Sequence, residues 1–328
     1  MILRYRLFGQ TGLRVSEILL GTMVLDDADE ARRILDVYAD AGGNVLDTAS
    51  AYGDGETLLG SIIERRDRFV IGTKYTLSRD RSDPNGAGNH RKNLTLSLER
   101  SLRRLRTDYI DIYWVHIWDR HTPIEETMRA LDDAVRAGKI LYVGISDAPA
   151  WIVSRANTLA EWRDWTPFAG LQVPYNLLRR DIERELLPMA ESFGMSVAAW
   201  APLERGILAG ATASKRSDPG KLTERERAAA QAVAKVAGDL GVRPAHVALA
   251  WMRAKSRAVL PLVGVSSAEQ LTENLAAIDV ALPPDAVRRL EEAVEFEAGF
   301  PGDFIAECEP SPFVFGDVAT QVEGRVPA

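Results

Sequence analysis

Cysteine is almost absent from this chain of 328 residues, in which Cys308 is the single example. One cysteine cannot form an intramolecular disulfide, and a zinc site built from cysteines is excluded. Histidine is also scarce, with four residues in the chain. Because an oxygen and nitrogen metal site needs several carboxylates or histidines close together, we expect no metal.

Long apolar runs and an excess of basic charge are missing as well. No segment approaches the ~20 consecutive apolar residues of a membrane span, and the opening MILRYRLFG holds no apolar signal segment. The formal charge of -7 provides no basic footprint for nucleic acid or for an anionic membrane. We therefore expect a cytoplasmic protein with a small-molecule partner and no nucleic acid or membrane partner. The oligomeric state stays open.

Two common nucleotide-binding motifs do not occur. The pattern GxxxxGK[ST] is absent, and the glycines of GDGETLLG have the wrong spacing for the dinucleotide fingerprint. A Rossmann domain and nucleoside triphosphate chemistry therefore have no support from the sequence.

What the chain does contain is an alternation of short β-branched runs with longer segments of helical period. Strands are predicted at 17–21, 44–48, 69–73, 110–116, 140–146, 170–173, 196–200 and 259–263. Helices are predicted after them at 29–40, 57–65, 90–105, 124–137, 151–161, 181–193, 244–255 and 268–277. Eight such units, with strands as apolar as FVIG and VAAW, are typical of an α/β fold of the (β/α)8 TIM barrel type. We expect a single domain over residues 1–328.

Three segments exceed the minimal barrel. Residues 5–15 predict an N-terminal hairpin that plugs the N-terminal mouth, and an extra helix is predicted at 223–240 after a long polar loop at 204–222. The tail from Ala298 carries several phenylalanines without any period. It is expected to form a C-terminal loop over the barrel mouth, or a disordered end over about the last ten residues.

Four side chains fall at or just past the ends of three successive predicted strands, namely Asp47, Tyr52, Lys74 and His116. In a closed parallel barrel these strand ends meet on the face where active sites are built. An ammonium beside a phenol lowers the phenol pKa, and a carboxylate offsets the cost of a partly buried lysine. Each residue alone has a structural interpretation, as helix cap, loop anchor, surface lysine or core histidine. Together they indicate an enzyme that protonates a carbonyl oxygen.

Eight segments of this chain match segments of one protein family, in the same order and over nearly the whole chain. They are LRYRLFGQTGLRVSEILLGTM, GGNVLDTASAYGDGETLLG, GTK, LRRLRTDYIDIYWVH, GKILYVGISD, LQVPYNLL, AWAPLERGILAG and SSAEQLTENLAAI. The chain resembles an aldo-keto reductase, similar to bacterial members of the branch that includes aryl-alcohol dehydrogenase-like enzymes and potassium channel beta subunits. The resemblance implies NAD(P)H-dependent reduction of an aldehyde or ketone to an alcohol. It also implies that the four residues form the family's catalytic tetrad, with Tyr52 as general acid.

The resemblance further implies which residues contact the cofactor, which it places across the C-terminal face. Those at the nicotinamide end are Gly21, Thr22, Met23, Asp47, Ser146, Asp147, Gln172 and Trp200. Those along the pyrophosphate and adenosine are Ala201, Pro202, Leu203, Arg205, Gly206, Gly264, Ser266, Gln270, Glu273 and Asn274. The substrate pocket is expected to contain Met23, Leu25, Trp118 and Phe300.

Three positions depart from the pattern of the resembling family. Asp147 stands where many members have asparagine, Ser266 where an arginine often holds the 2′-phosphate, and Ala211 where lysine is common, with Lys215 nearby. NADPH is the expected cofactor and NADH the alternative. The substrate, an aryl or aliphatic aldehyde or a keto-sugar, is left open.

Two other functions are compatible with these residues. Channel beta subunits share the implied architecture, so the chain could be an NADPH-binding regulatory or sensor module with little turnover. A metal-dependent barrel hydrolase would instead use His116, Asp119 and His121. Carbonyl-dependent NADPH oxidation and sensitivity to a chelator distinguish the three hypotheses.

Overall fold

The computed structural model describes residues 2–210 and 222–321. A two-stranded antiparallel hairpin precedes eight parallel strands that close into a barrel, the last strand pairing with the first. The hairpin strands are β1 (Tyr5–Leu7) and β2 (Arg14–Ser16). The barrel strands are β3 (Leu19–Gly21), β4 (Val45–Asp47), β5 (Val70–Tyr75), β6 (Ile110–Val115), β7 (Ile140–Ser146), β8 (Phe168–Pro174), β9 (Ser196–Trp200) and β10 (Val259–Gly264). The predicted (β/α)8 barrel is confirmed.

Helices surround the barrel, and those of them before the tail bury apolar side chains in its core, whereas α11 and α12 bury none. They are α1 (Ala28–Asp40), α2 (Gly55–Ile62), α3 (Arg91–Leu105), α4 (Ile124–Arg136), α5 (Ala150–Arg163), α6 (Leu186–Ser192), α7 (Glu224–Leu240), α8 (Pro244–Lys255), α9 (Ala268–Leu275), α10 (Pro284–Glu292), α11 (Gly302–Cys308) and α12 (Pro312–Phe315). The helix predicted at 181–193 is divided, with a 3-10 turn at Asp181–Glu183 before α6. Pro188 explains the late start, because proline is tolerated only in the first turn of a helix.

Local chemistry sets several helix ends. Asp27 caps α1 by accepting a hydrogen bond from the backbone N–H of Glu30 at 2.7 Å. Thr223 and Glu226 form a reciprocal capping box at the start of α7. The helix stop predicted after α4 contains Gly138 at φ +70°, a conformation that glycine adopts without steric cost.

The N-terminal hairpin closes one end of the barrel, as predicted. Phe8 and Val15 are buried in the cluster of apolar side chains that fills the barrel interior. The backbone N–H of Gly9 donates to Oγ of Ser196, the first residue of β9. Because parallel strands all begin at the same end, these contacts seal the N-terminal mouth and leave the C-terminal mouth for a site.

The tail contains more helix than expected, since α11 and α12 are followed by a 3-10 turn at Gly316–Gln321. Its position over the barrel mouth stays a prediction, as does the single-domain organisation. The expected disordered end falls largely on residues 322–328, outside the described ranges, and so do Ala211 and Lys215 of the polar loop. No helix in the described ranges is long and apolar enough to cross a membrane, and the cytoplasmic location stays a prediction.

Candidate active site

Lys74 lies on β5 in the barrel interior and has no exposed surface. Its Nζ donates to Oδ2 of Asp47 at 2.5 Å, to the carbonyl oxygen of Thr48 at 2.7 Å and to Oη of Tyr52 at 3.4 Å. An ammonium has three N–H donors, so these contacts use all of them. The buried charge is therefore compensated by a carboxylate and held beside the tyrosine hydroxyl.

Asp47 ends β4 and is 4% exposed. Its second carboxylate oxygen accepts a hydrogen bond from Nε2 of Gln172 at 2.9 Å. Gln172 belongs to β8, which lies directly across the closed barrel from β4. The sequence assigned Gln172 to the cofactor and missed this contact, because it depends on barrel closure rather than on spacing along the chain. Both oxygens of Asp47 are thus held in place.

Gly72, next to Asp47, makes room for the indole ring of Trp114. It pairs with Asp47 in the register between β4 and β5. A Cβ at this position would lie 2.9 Å from Nε1 of Trp114, closer than real Cβ contacts allow, and 3.6 Å from Oδ1 of Asp47. A glycine in a strand often marks such a close approach.

Tyr52 lies in the loop after β4 and is half-buried. Its ring meets the imidazole of His116 edge-on, with centroids 6.0 Å apart and planes at 82°. Burial raises the pKa of the Tyr52 phenol above its ordinary value, and the charge of Lys74 opposes this rise only in part. The expectation of a lowered pKa is therefore wrong in net direction, because desolvation outweighs the ammonium.

His116 follows β6 directly, and its backbone N–H donates to the carbonyl oxygen of Tyr75 at 3.1 Å. Burial, with a smaller contribution from the charge of Lys74, lowers the pKa of its imidazole to about 4. The ring is therefore neutral at physiological pH and cannot compete with Lys74 as a cation. Within the described ranges nothing hydrogen-bonds its buried Nδ1, so the ring keeps hydrogen-bonding capacity for a ligand.

The predicted cofactor residues lie around the rest of the same barrel mouth. The tetrad comes from β4, β5 and β6 or the residues that follow them. Apart from Asp47, the predicted cofactor residues lie at the C-terminal ends of β7, β8, β9, β10 and β3 or in the segments after them. These five strands are consecutive around the closed barrel, so the residues line one continuous arc facing the tetrad.

The chain matches the model of the aldo/keto reductase family over residues 17–295. It belongs to this family. It is 36% identical over 323 residues to norsolorinic acid reductase of Aspergillus flavus, covering 92% of this chain and 83% of the relative. It is 37% identical over 328 residues to aryl-alcohol dehydrogenase [NADP(+)] of Phanerodontia chrysosporium, covering 88% and 85%. An aryl-alcohol dehydrogenase of Pestalotiopsis microspora is 36% identical over 326 residues, covering 92% and 85%.

These matches identify an oxidoreductase of the aldo/keto reductase family and confirm the predicted likeness to aryl-alcohol dehydrogenases. The relatives named here are fungal, and the bacterial source and the likeness to channel beta subunits stay predictions.

The segment after β9 is tightly held. Glu204 is buried and accepts two hydrogen bonds from the guanidinium of Arg179, at 2.6 and 3.0 Å, and one from Nδ2 of Asn176 at 2.9 Å. Ala201, Glu204 and Arg205 all have positive φ, between 41° and 56°. Side chains other than glycine adopt this conformation at a cost, and such residues cluster at functional sites. The sequence did not predict this anchoring, which fixes the expected pyrophosphate contacts.

The expected adenosine end is the start of α9. Ser267 caps the helix as predicted, accepting from the backbone N–H of Gln270 at 3.2 Å. The Gln270 side chain accepts from the N–H of Ser266 at 2.9 Å, one residue before the capping-box position. Ser266 and Gln270 are exposed, whereas Asn274 is buried with no hydrogen-bond partner for its Nδ2 among the described residues. Glu273 is paired with Arg243 at 2.7 Å.

Aromatic side chains form part of the expected substrate pocket. Trp118 packs edge-on against Trp151 with centroids 5.7 Å apart, and Met23 is 59% exposed at the end of β3. Trp151, in the first turn of α5, was not predicted, because only the fold brings it to Trp118. Phe300 is 87% exposed and its ring contacts Phe304 of its own segment, so the structure does not bring it to the tetrad.

Asp119 holds the loop that carries Trp118. Its Oδ1 accepts from the backbone N–H groups of His121 and Thr122 at 2.7 Å, and its Oδ2 accepts from the N–H of Asn89 at 2.5 Å. In return, Oδ1 of Asn89 accepts from the N–H of Asp119 at 2.7 Å. The carboxylate proposed for a metal hydrolase is therefore occupied by loop hydrogen bonds. In the described part of the chain, no group of three histidine, cysteine or acidic residues could hold a metal ion.

Proposed function

We propose that this protein reduces an aryl aldehyde or ketone to the alcohol with NADPH, with Tyr52 as the general acid. The observation that carries the proposal is the buried ammonium of Lys74, which contacts both Asp47 and the Tyr52 hydroxyl. A phenol beside a compensated cation, with a neutral imidazole across from it, suits protonation of a carbonyl oxygen.

The residues around the mouth fit a nicotinamide dinucleotide. Buried polar atoms without protein partners, Nδ1 of His116 and Nδ2 of Asn274, lie in segments where the catalytic and adenosine ends are expected. When bound, the cofactor supplies the hydride. Ser146, Asp147 and Gln172 would orient the nicotinamide, the segment at 201–206 would border the pyrophosphate, and Gly264, Ser266 and Gln270 the adenosine.

Each member of the tetrad has a defined task in this proposal. Tyr52 retains its proton at neutral pH, because burial raises its pKa, and donates it to the carbonyl oxygen as negative charge develops there. Lys74 stabilises the phenolate that remains, and Asp47 keeps the ammonium in place. His116, neutral because burial lowers its pKa to about 4, positions the substrate oxygen by a hydrogen bond without adding a second positive charge.

Two observations support NADPH and an aryl substrate. A relative covering most of this chain is an aryl-alcohol dehydrogenase named for NADP(+), and another is named for norsolorinic acid. The edge-on pair of Trp118 and Trp151 offers an apolar aromatic surface near the loop after β6, and such pairs favour further aromatic contacts.

The decisive experiment removes the Tyr52 hydroxyl. In Tyr52→Phe, kcat for NADPH-dependent reduction of 4-nitrobenzaldehyde should fall by at least about 10²-fold, the usual contribution of general acid catalysis. NADPH binding, followed by tryptophan fluorescence, should stay near the wild-type value. Tyr109→Phe is the matched control, since Tyr109 lies before β6 at the opposite barrel end and its ring contact with Arg66 survives the change.

Two outcomes would contradict the proposal. A folded, NADPH-binding Tyr52→Phe variant that retains most carbonyl reduction would eliminate Tyr52 as the acid. A wild-type protein that binds NADPH but turns over no aryl aldehyde would favour the regulatory or sensor module instead.

A further inference from the structure

Asp147 is held in an unusual conformation at the end of β7. Its φ is 45°, in the left-handed region, which aspartate and asparagine tolerate better than most residues. Its backbone N–H donates to the carbonyl oxygen of Gln172 at 3.3 Å. Its exposed side chain is at the barrel mouth, where Trp200 and Ser146 are near enough to lower the pKa of the carboxyl group, against the larger rise that burial causes. The residue therefore lies at the end of β7, on the arc that faces the tetrad.

That carboxylate has no ion-pair partner within the tetrad: burial raises its pKa, and the more distant charge of Lys74 opposes this rise only in part. Asp47 and Lys74 neutralise each other at 2.5 Å, and His116 is neutral at physiological pH. Asp147 is close enough for its charge to raise the pKa of Tyr52, although burial of the phenol is the larger cause. With the Tyr52 hydroxyl protonated, Asp47, Lys74, His116 and Asp147 together carry one net negative charge.

A negative charge at this place discriminates between the two redox states of a nicotinamide. The oxidised ring is a cation and the reduced ring is neutral. In carbonyl reduction, bound NADPH would supply a hydride to the carbonyl carbon and Tyr52 would give its hydroxyl proton to the oxygen, so the ring would gain a positive charge. A fixed carboxylate beside the ring therefore stabilises the oxidised form more than the reduced form.

We propose that Asp147 selectively strengthens binding of NADP+ relative to NADPH and so shifts the equilibrium on the enzyme toward carbonyl reduction, the direction that forms NADP+. This inference rests on the proposed function and adds a residue that sets the balance between its two directions. An asparagine has nearly the same shape and also tolerates the left-handed conformation, but it carries no charge. Replacing Asp147 by asparagine therefore removes the carboxylate charge and keeps the shape of the side chain.

The test is equilibrium binding of NADP+ and of NADPH, each measured by calorimetry, to wild type and to Asp147→Asn at mildly alkaline pH. The ratio Kd(NADP+)/Kd(NADPH) should rise on the order of tenfold in the variant, as expected for one charge interaction near a protein surface. Asp147→Gly removes the same charge and adopts φ 45° without strain, and it should change the ratio in the same direction. If Asp147→Asn does not fold, Asp147→Gly provides the same test.

Asp164→Asn is the matched control. Asp164 also has a left-handed conformation, at φ 53°, and is exposed at the C-terminal end of α5, which precedes β8 and so lies at the opposite end of the barrel from the site. Its substitution should leave the ratio unchanged. A ratio within twofold of wild type in both Asp147 variants would overturn the inference while leaving the proposed function intact. Failure of wild type to bind either nucleotide would instead overturn the proposed function itself.

Discussion

Removing the ammonium of Lys74 tests the energetics on which the site depends. Lys74→Met keeps an apolar stem in a fully buried position but leaves Asp47, 4% exposed, with a hydrogen bond from Gln172 and no counter-ion in the tetrad. Breaking a buried ion pair by removing one partner costs about 3–5 kcal/mol, because the remaining charge is uncompensated. We expect the free energy of unfolding to fall by this amount.

The double variant Lys74→Met/Asp47→Asn separates the charge from the packing. With both charges removed, the free energy of unfolding should return to within about 1–2 kcal/mol of wild type, since neutral replacement of a buried pair is often tolerated. Carbonyl reduction should stay lost in both variants, because neither retains a cation beside Tyr52. Lys139→Met is the control: its partner Glu99 is 38% exposed, and loss of such a pair should cost at most about 1 kcal/mol.

Urea unfolding followed by tryptophan fluorescence, with activity assayed on the same samples, measures both quantities. The reasoning is refuted if Lys74→Met is no more destabilising than Lys139→Met, or if the double variant is as unstable as the single one. Either result would mean that the Lys74 and Asp47 charges are not coupled in the folded protein as their 2.5 Å contact implies.

Two further predictions concern the cofactor phosphate and pH. Ser266 is exposed beside the start of α9. Ser266→Arg should therefore strengthen NADPH binding by about 1–2 kcal/mol through charge-assisted contacts with the 2′-phosphate and leave NADH binding nearly unchanged. Equal effects on the two cofactors in fluorescence titrations would show that Ser266 is not at the phosphate site. The pKa of His116 is about 4 in the folded protein and about 6.5 in the unfolded chain. Between these pH values the unfolded chain binds more protons than the folded protein. The free energy of unfolding must therefore fall as the pH decreases from about 6.5 to about 4. In urea unfolding, the free energy of unfolding of wild type should fall by about 2 kcal/mol across that pH range. The fall should be smaller in His116→Gln. An identical pH dependence in that variant would mean that His116 is not the titrating group.

The barrel could be predicted because its determinants are local. Each strand is an apolar β-branched run, each helix has a 3.6-residue period, and punctuation such as Gly138 ends elements where the backbone must turn. Alternation of the two then leaves few topologies, since parallel strands joined by helices close into a barrel or form a doubly wound sheet. The strand ends that carry Lys74 and His116 follow from the same pattern.

Contacts between distant strands could not be predicted in the same way. The hydrogen bond from Gln172 to Asp47 joins residues 125 positions apart, on opposite sides of the barrel. The pairing of Trp118 with Trp151 and the anchoring of Glu204 by Arg179 likewise join separate βα loops. These contacts depend on closure and register, which no local window of sequence contains.

The electrostatic properties of the site also depend partly on local sequence and partly on tertiary structure. The sequence by itself determined that a tyrosine, a lysine, a carboxylate and a histidine would meet at one barrel mouth, because strand order and strand ends are properties of local patterns. Only the tertiary structure decided how those groups titrate. The pKa of Tyr52 rises and that of His116 falls because burial excludes water from each, and the degree of burial is set by every element that packs around the site.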